Sequence, residues 1–315
     1  MTADMAPLTL RFYDVTSADG TVLRAWTNDA SGPVVLLCNG LGTNPYAWPA
    51  LLDRDCGVRV VSWNHRGTGG SARPTTADRV GIDAFVEDAV AVMDDAGLDR
   101  VVVAGWSIGV NTAFELAHRH PDRVSGLFAV AGVPGATFAS MLGPLRVPRA
   151  LRAPITVGLS YLIREAGHLV SPVSQALPVG RLSATALRYS GFMFPSAADD
   201  VVRRAVREFL TTDVDWYFHL AVAAARHQRV SLRGIGVPTT FVAGRHDLLA
   251  DKRDIRTAAE RIPEAVCHLL PGSHFLQMEH PERVHQELLE LIGRVDAQSS
   301  ARRKPDSRHR VRSVG

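Results

Sequence analysis

The sequence predicts an α/β fold: an eight-stranded, mostly parallel sheet flanked by helices and broken once by a helical insertion. Three observations carry this. Short apolar runs alternate with stretches of helical spacing, the pattern of βαβ units with right-handed crossovers. One run, residues 33–38, is continuously apolar, as a strand buried on both faces of a parallel sheet must be. The alternation stops near Gly135 and resumes after Arg233, so roughly a hundred residues interrupt one sheet.

The elements follow in order. Residues 8–16 and 21–26 alternate apolar and polar side chains around Ala18-Asp19-Gly20, predicting a β-hairpin. After the apolar strand 33–38 comes a Gly-rich loop, 39–44, and a short helical stretch to Leu52. Residues 58–63 form the next strand, ending in Asn64-His65-Arg66-Gly67-Thr68-Gly69-Gly70-Ser71. Over 82–96, Phe85, Val86, Ala89, Val90 and Met93 recur on one helical face. Strand 100–104, a turn, helix 110–118 and strand 125–131 complete the first half. Within the interruption, 201–210 and 215–227 read as helices. Strand 238–243, helix 252–261, strand 266–270 and helix 281–295 restore the pattern. The expected domains are therefore a core of 1–134 with 234–296, a helical lid of 135–233, and a disordered basic tail of 297–315.

The chain has 315 residues, 46% hydrophobic and 21% charged, with a net charge of +3. Residues 301–315 alone carry +5, which leaves the other 300 at −2. The basic character belongs to the tail and gives the body no reason to bind nucleic acid. Cys38, Cys56 and Cys267 are odd in number and widely spaced, so neither a disulfide framework nor a zinc site is expected. The first residues lack a signal-peptide pattern and no uncharged run is long enough to span a bilayer. A cytoplasmic protein without metal, cofactor or stable membrane insertion is expected; the oligomeric state is not legible.

The chemistry starts at Gly105-Trp106-Ser107-Ile108-Gly109, a G-x-S-x-G between a strand and a helix. A sharp strand–helix turn crowds the backbone, favours flanking residues without a Cβ and presents the serine. The helix N-terminus there stabilises negative charge. In an open parallel sheet, ligands bind beyond the carboxyl ends of the strands. Ser107, Asp247, His274 and the loop Asn39-Gly40-Leu41-Gly42 each follow such an end. His274 is the candidate base for Ser107, because imidazole exchanges protons near neutral pH. Asp247 would orient that ring. The backbone amides of Ile108 and Leu41 are the candidate oxyanion donors. Asp251 lies near a helix start and reads as a cap; Asp122 is a remote reserve. His65, His118, His120 and His280 lack the strand-end position.

These residues resemble the α/β-hydrolase fold superfamily over almost the whole chain. The resemblance rests on the elbow at Ser107, the Ser…Asp…His order, the oxyanion loop and the Arg66-Gly67-x-Gly69-x-Ser71 loop. It implies a serine hydrolase, carboxylesterase-like, that cleaves carboxylic esters of a small hydrophobic substrate through an acyl-enzyme. The same triad serves thioester, lactone and C–C hydrolysis, perhydrolysis and acyl transfer, and a non-catalytic small-molecule receptor shares the fold. Epoxide hydrolases and haloalkane dehalogenases of the superfamily use Asp where this chain has Ser107. Three residues depart from the family pattern. Asn39 stands where His is common, Asn64 where Asp is common, and Val110 where a second Gly is common. The last suggests looser helix–strand packing. Trp106 is expected either to wall the acyl pocket or to pack behind the elbow, and Asn39 to touch substrate. Apolar lid residues, among them Leu145, Leu159, Tyr161, Leu162, Phe192, Phe194, Trp216 and Tyr217, are expected to bury the lid or line a pocket.

Overall fold

The computed structural model describes residues 10–176 and 179–303. The chain opens with a hairpin, β1 (Arg11–Thr16) and β2 (Val22–Thr27), followed by β3 (Val34–Cys38). The expected start of β1 at Leu8 lies outside the described residues. Two 3-10 turns, Pro45–Ala47 and Pro49–Leu51, stand where a short helix was expected. Next come β4 (Arg59–Trp63), α1 (Ile82–Asp95), β5 (Val101–Trp106), α2 (Ile108–Arg119) and β6 (Val124–Val130).

After β6 the chain forms α3 (Thr137–Ser140), α4 (Arg149–Ala176), α5 (Arg181–Arg188), α6 (Asp199–Phe209) and α7 (Val214–Ala225). It returns through β7 (Thr239–Gly244), α8 (Lys252–Ala259), β8 (Val266–Leu270), α9 (Leu276–Glu279) and α10 (Pro281–Arg303). The final helix runs through the first seven residues of the expected tail. Ala297, Gln298 and Ala301 are good helix formers.

One sheet of eight strands runs in the order β1-β2-β4-β3-β5-β6-β7-β8. The pairings β1–β2 and β2–β4 are antiparallel and the other five are parallel. The order reverses between β3 and β5: the chain leaves β3 for β4 on one side and returns to β5 on the other. Loops diverge at such a switch point and leave a crevice beyond the strand ends. Apolar clusters fill both faces of the sheet. One holds Leu36, Phe85, Val103, Phe114 and Phe241, the other Trp26, Leu37, Trp106, Phe128 and Leu288.

Candidate active site

The crevice lies between the loop after β3 and the turn after β5. That turn brings the backbone of Ser107 to φ 55°, ψ −119°, a region that L side chains rarely adopt. Strain of this kind persists only where the surroundings over-determine it, and here they do. A Cβ on Gly105 would sit 2.6 Å from the Gly109 carbonyl oxygen, and one on Gly109 only 1.9 Å from that of Cys38. The Ser107 amide donates to the Val130 carbonyl at 3.0 Å, pinning the turn to β6. Val110, expected to loosen this packing, is fully buried. Its bulk is met by Gly132, where a Cβ would be 2.6 Å from Val110 Cγ2 and 2.5 Å from the Ser107 carbonyl.

The loops after β7 and β8 complete a hydrogen-bonded chain. Ser107 Oγ lies 2.8 Å from His274 Nε2, and His274 Nδ1 lies 2.9 and 3.1 Å from the two Asp247 oxygens. Asp247 and His274 are almost fully buried, whereas Ser107 keeps partial exposure. Asp247 Oδ1 also accepts the amides of Leu249 (2.7 Å) and Ala250 (2.9 Å), which fix the carboxylate. Asp251 caps α8, accepting from the Arg253 amide at 3.0 Å. Ile108 opens α2, so its amide has no carbonyl one turn back. The Leu41 amide has no acceptor among the described residues.

Asn39 and Trp106 do not line open space. Each is 2% exposed. Asn39 Oδ1 accepts from the Gly40 amide and from Trp48 Nε1, both at 3.0 Å, and its Nδ2 donates to the Asn44 carbonyl at 3.1 Å. An amide suits this place because it offers an acceptor and a donor to the same loop at once. Trp106 packs behind the elbow. Its Nε1 donates to the His274 carbonyl at 3.0 Å, and its ring lies where a Cβ on Gly40 would approach within 2.8 Å. One indole thus braces both the histidine loop and the loop after β3. Asn64, the other departure, closes its own loop by donating to the Gly69 carbonyl at 2.6 Å.

Aromatic side chains from the helical insertion surround these loops. Tyr217 and Phe209 stand over Gly42, where a Cβ would be 2.9 Å from Tyr217 Cδ2. Burial pushes the Tyr217 hydroxyl up to about 12. Phe192 meets Phe275 edge-on at 5.2 Å, and Phe194 lies 5.4 Å from the His246 ring. Polar ties hold the insertion down. Asn44 donates to the Ala205 carbonyl and Trp216 Nε1 to the Arg66 carbonyl.

The family is decided at this point, since a family model described as the α/β hydrolase fold matches residues 33–281. The chain belongs to the α/β hydrolase fold family. A putative carbamate hydrolase, RutD, from Caulobacter sp. is 30% identical over 274 residues, covering 82% of this chain and 90% of the relative. Epoxide hydrolase A of Mycobacterium tuberculosis is 26% identical over 340 residues, covering 91% and 98%. A thermophilic esterase from Thermogutta terrifontis superposes with a TM-score of 0.67 at 21% identity, over 90% of this chain and 99% of that one. These relatives are hydrolases, and hydrolysis is the coarse activity that the family gives this α/β hydrolase.

Sequence reasoning passed over Glu279. Its buried carboxylate accepts the Ser273 amide (2.7 Å), the Ser273 hydroxyl (2.5 Å) and, from the insertion, the Phe194 amide (2.8 Å). It joins the residue before His274 to the insertion. A glutamate five residues past a histidine carries no pattern that would have revealed this.

Proposed function

We propose that this chain is a serine hydrolase of the carboxylesterase type, cleaving esters with a small hydrophobic acyl group through an acyl-enzyme. One observation carries the reading. The strained Ser107 hydroxyl lies 2.8 Å from an imidazole whose other nitrogen is 2.9 Å from a doubly amide-bonded carboxylate. In this reading Ser107 Oγ attacks the ester carbonyl carbon while its proton passes to His274 Nε2. The carbonyl oxygen becomes an oxyanion held by the amides of Leu41 and Ile108, with the N-terminus of α2 behind it. His274 then gives the proton to the departing alkoxide, and the C–O bond breaks to leave acyl-Ser107. Water repeats the sequence: His274 takes its proton, the hydroxide attacks, and Ser107 leaves with that proton restored. Asp247 holds the ring in the tautomer with Nε2 free and stabilises the imidazolium.

Residues 135–233 act as the lid over a core of 1–134 and 234–296. The Phe209–Tyr217 pair over Gly42 and the Phe192–Phe275 pair beside His274 favour an apolar acyl group. Carbamates share the carbonyl that this machinery attacks, so the RutD relative makes them a second substrate class. Epoxides fit poorly. Opening by Ser107 would leave an ether with no carbonyl for water to attack, and the cycle would stop.

The test is a panel of esters, thioesters, lactones and carbamates graded by acyl length, together with a fluorophosphonate probe. Turnover and labelling are expected in the wild type. Ser107→Ala should abolish labelling and lower kcat by about six orders of magnitude. Asp247→Asn should lower it by about four. Full activity in Ser107→Ala would overturn the assignment of the nucleophile. A wild type inert to both panel and probe would overturn the enzymatic reading.

A further inference from the structure

Helix α4 is amphipathic the wrong way round for a helix resting on a core. Its buried positions are Ser160, Gly167, Ser171 and Ser174, small residues on one side. They allow close approach to α7: a Cβ on Gly167 would be 2.4 Å from the Asp215 amide nitrogen, and Ser171 Oγ accepts from the Val214 amide at 2.9 Å. The large apolar residues Leu151, Ile155, Leu159, Leu162, Leu169 and Val173 are all exposed, Leu162 and Leu169 at 70%. At 100° per residue they share one arc of roughly 80° on a helix about 42 Å long. Leu145, Leu159, Tyr161 and Leu162, expected to bury the lid or line a pocket, face solvent instead.

The charge around this stripe says what fits it. Residues 136–198 contain six arginines, no lysine and one acid, Glu165, and Arg149, Arg152 and Arg188 pair with Asp254, Asp251 and Asp199 from outside this stretch. Glu165 is already paired with Arg164 at 2.6 Å. Arg146 and Arg181 are exposed and have no acidic partner among the described residues. A second copy placed symmetrically on this face would bring the same two unpartnered arginines with it, and like charges across an interface repel. An anionic bilayer supplies both terms, apolar depth for the leucines and negative headgroups for the arginines. No helix among the described residues is long and apolar enough to cross a membrane, so the contact is peripheral.

We propose that the exposed face of α4 is a docking surface for an anionic lipid bilayer, on which α4 lies in the plane of the interface. This contact is independent of the esterase reading, because it is measured as binding and not as turnover.

The experiment is flotation of the full chain with vesicles of phosphatidylcholine plus phosphatidylserine, and with phosphatidylcholine alone. Wild type should float with the mixed vesicles, more weakly with phosphatidylcholine, and less at high salt. Leu162→Glu/Leu169→Glu should weaken binding about tenfold or more, since two leucines no longer leave water. Arg146→Glu/Arg181→Glu should weaken binding to the mixed vesicles and barely change it on phosphatidylcholine. Circular dichroism checks folding, and the arginine variant decides if the leucine variant fails to fold. Three results would overturn the proposal. The wild type could ignore the mixed vesicles. The leucine variant could bind as well as wild type, which would move binding to the basic C-terminus. Light scattering could show a dimer that the leucine variant dissociates, making the face an interface between copies.

Discussion

Glu279 takes three hydrogen bonds and gives none, so its chemistry depends on being an acceptor at both oxygens. Glu279→Gln keeps the shape but turns an amide NH2 toward a donor in either orientation. A buried donor left without an acceptor costs about 1–3 kcal/mol. The cost should fall on the Ser273–His274 loop and on the segment at Phe194. The variant is expected to melt earlier, to lose about tenfold in kcat, and to react more slowly with fluorophosphonate. A lower melting temperature with an unchanged labelling rate would make Glu279 a purely structural residue. Ser107, Asp247 and His274 were legible because each follows a strand end, a position set by one-dimensional pattern alone. The partners of Asn39 and Glu279 were not legible, because they come from folding of the surrounding loops. Asn39 shows it well: a polar side chain beside the site suggested substrate contact, and the fold used it to hold Gly40 and Trp48.

The inner strands β3 to β7 were readable because burial on both faces demands apolar runs, the hairpin β1–β2 because its side chains alternate, and the observed bounds differ from expectation by a few residues at most. Helix α4 was not readable as one element. Pro154 and Pro172 look like breakers, yet both are exposed. The carbonyls one turn back belong to Ala150 and His168, also exposed, so water can replace the missing amides. Contact between elements was equally hidden. The elbow helix carries Val110 where a glycine was the family pattern, and Gly132, just past the end of β6, accommodates it. Gly132→Ala should therefore cost about 1–3 kcal/mol through overpacking, and it should lower kcat by pressing on the Ser107 carbonyl. Adding Val110→Ala removes the clash with Cγ2 and leaves the milder one with Cβ, at 2.9 Å, and the one with the carbonyl. The double variant should recover stability beyond additivity while kcat stays low. Urea denaturation and ester kinetics on the four members of the cycle check this. A coupling energy near zero would show that the two residues do not share the space.

Stability of the whole molecule against acid draws on buried groups outside the Ser107–His274–Asp247 chain. His65 is fully buried, packed edge-on against Phe85 at 4.6 Å, and its Nδ1 has no partner among the described residues. Burial lowers its pKa from 6.5 to about 4. Below pH 6.5 the unfolded chain takes up a proton that the folded chain refuses, so stability falls as pH falls. The loss levels off near pH 4, where folded His65 also protonates, and it totals on the order of 3 kcal/mol. His227, lowered mainly by burial, acts in the same direction. Asp19 acts in a different window. Burial raises its pKa, but hydrogen bonds from Thr21 and Arg66 prevail and hold it at about 2, below its ordinary 3.8. Its contribution is present above pH 3.8 and is lost as pH falls through about 2. The two effects are thus separable by pH. Urea denaturation of wild type and His65→Leu at neutral pH and near pH 4 should show the wild type losing more stability than the variant, by on the order of 2–3 kcal/mol. Equal losses would mean that His65 is not held neutral by burial, and the acid sensitivity in this window would then fall to His227.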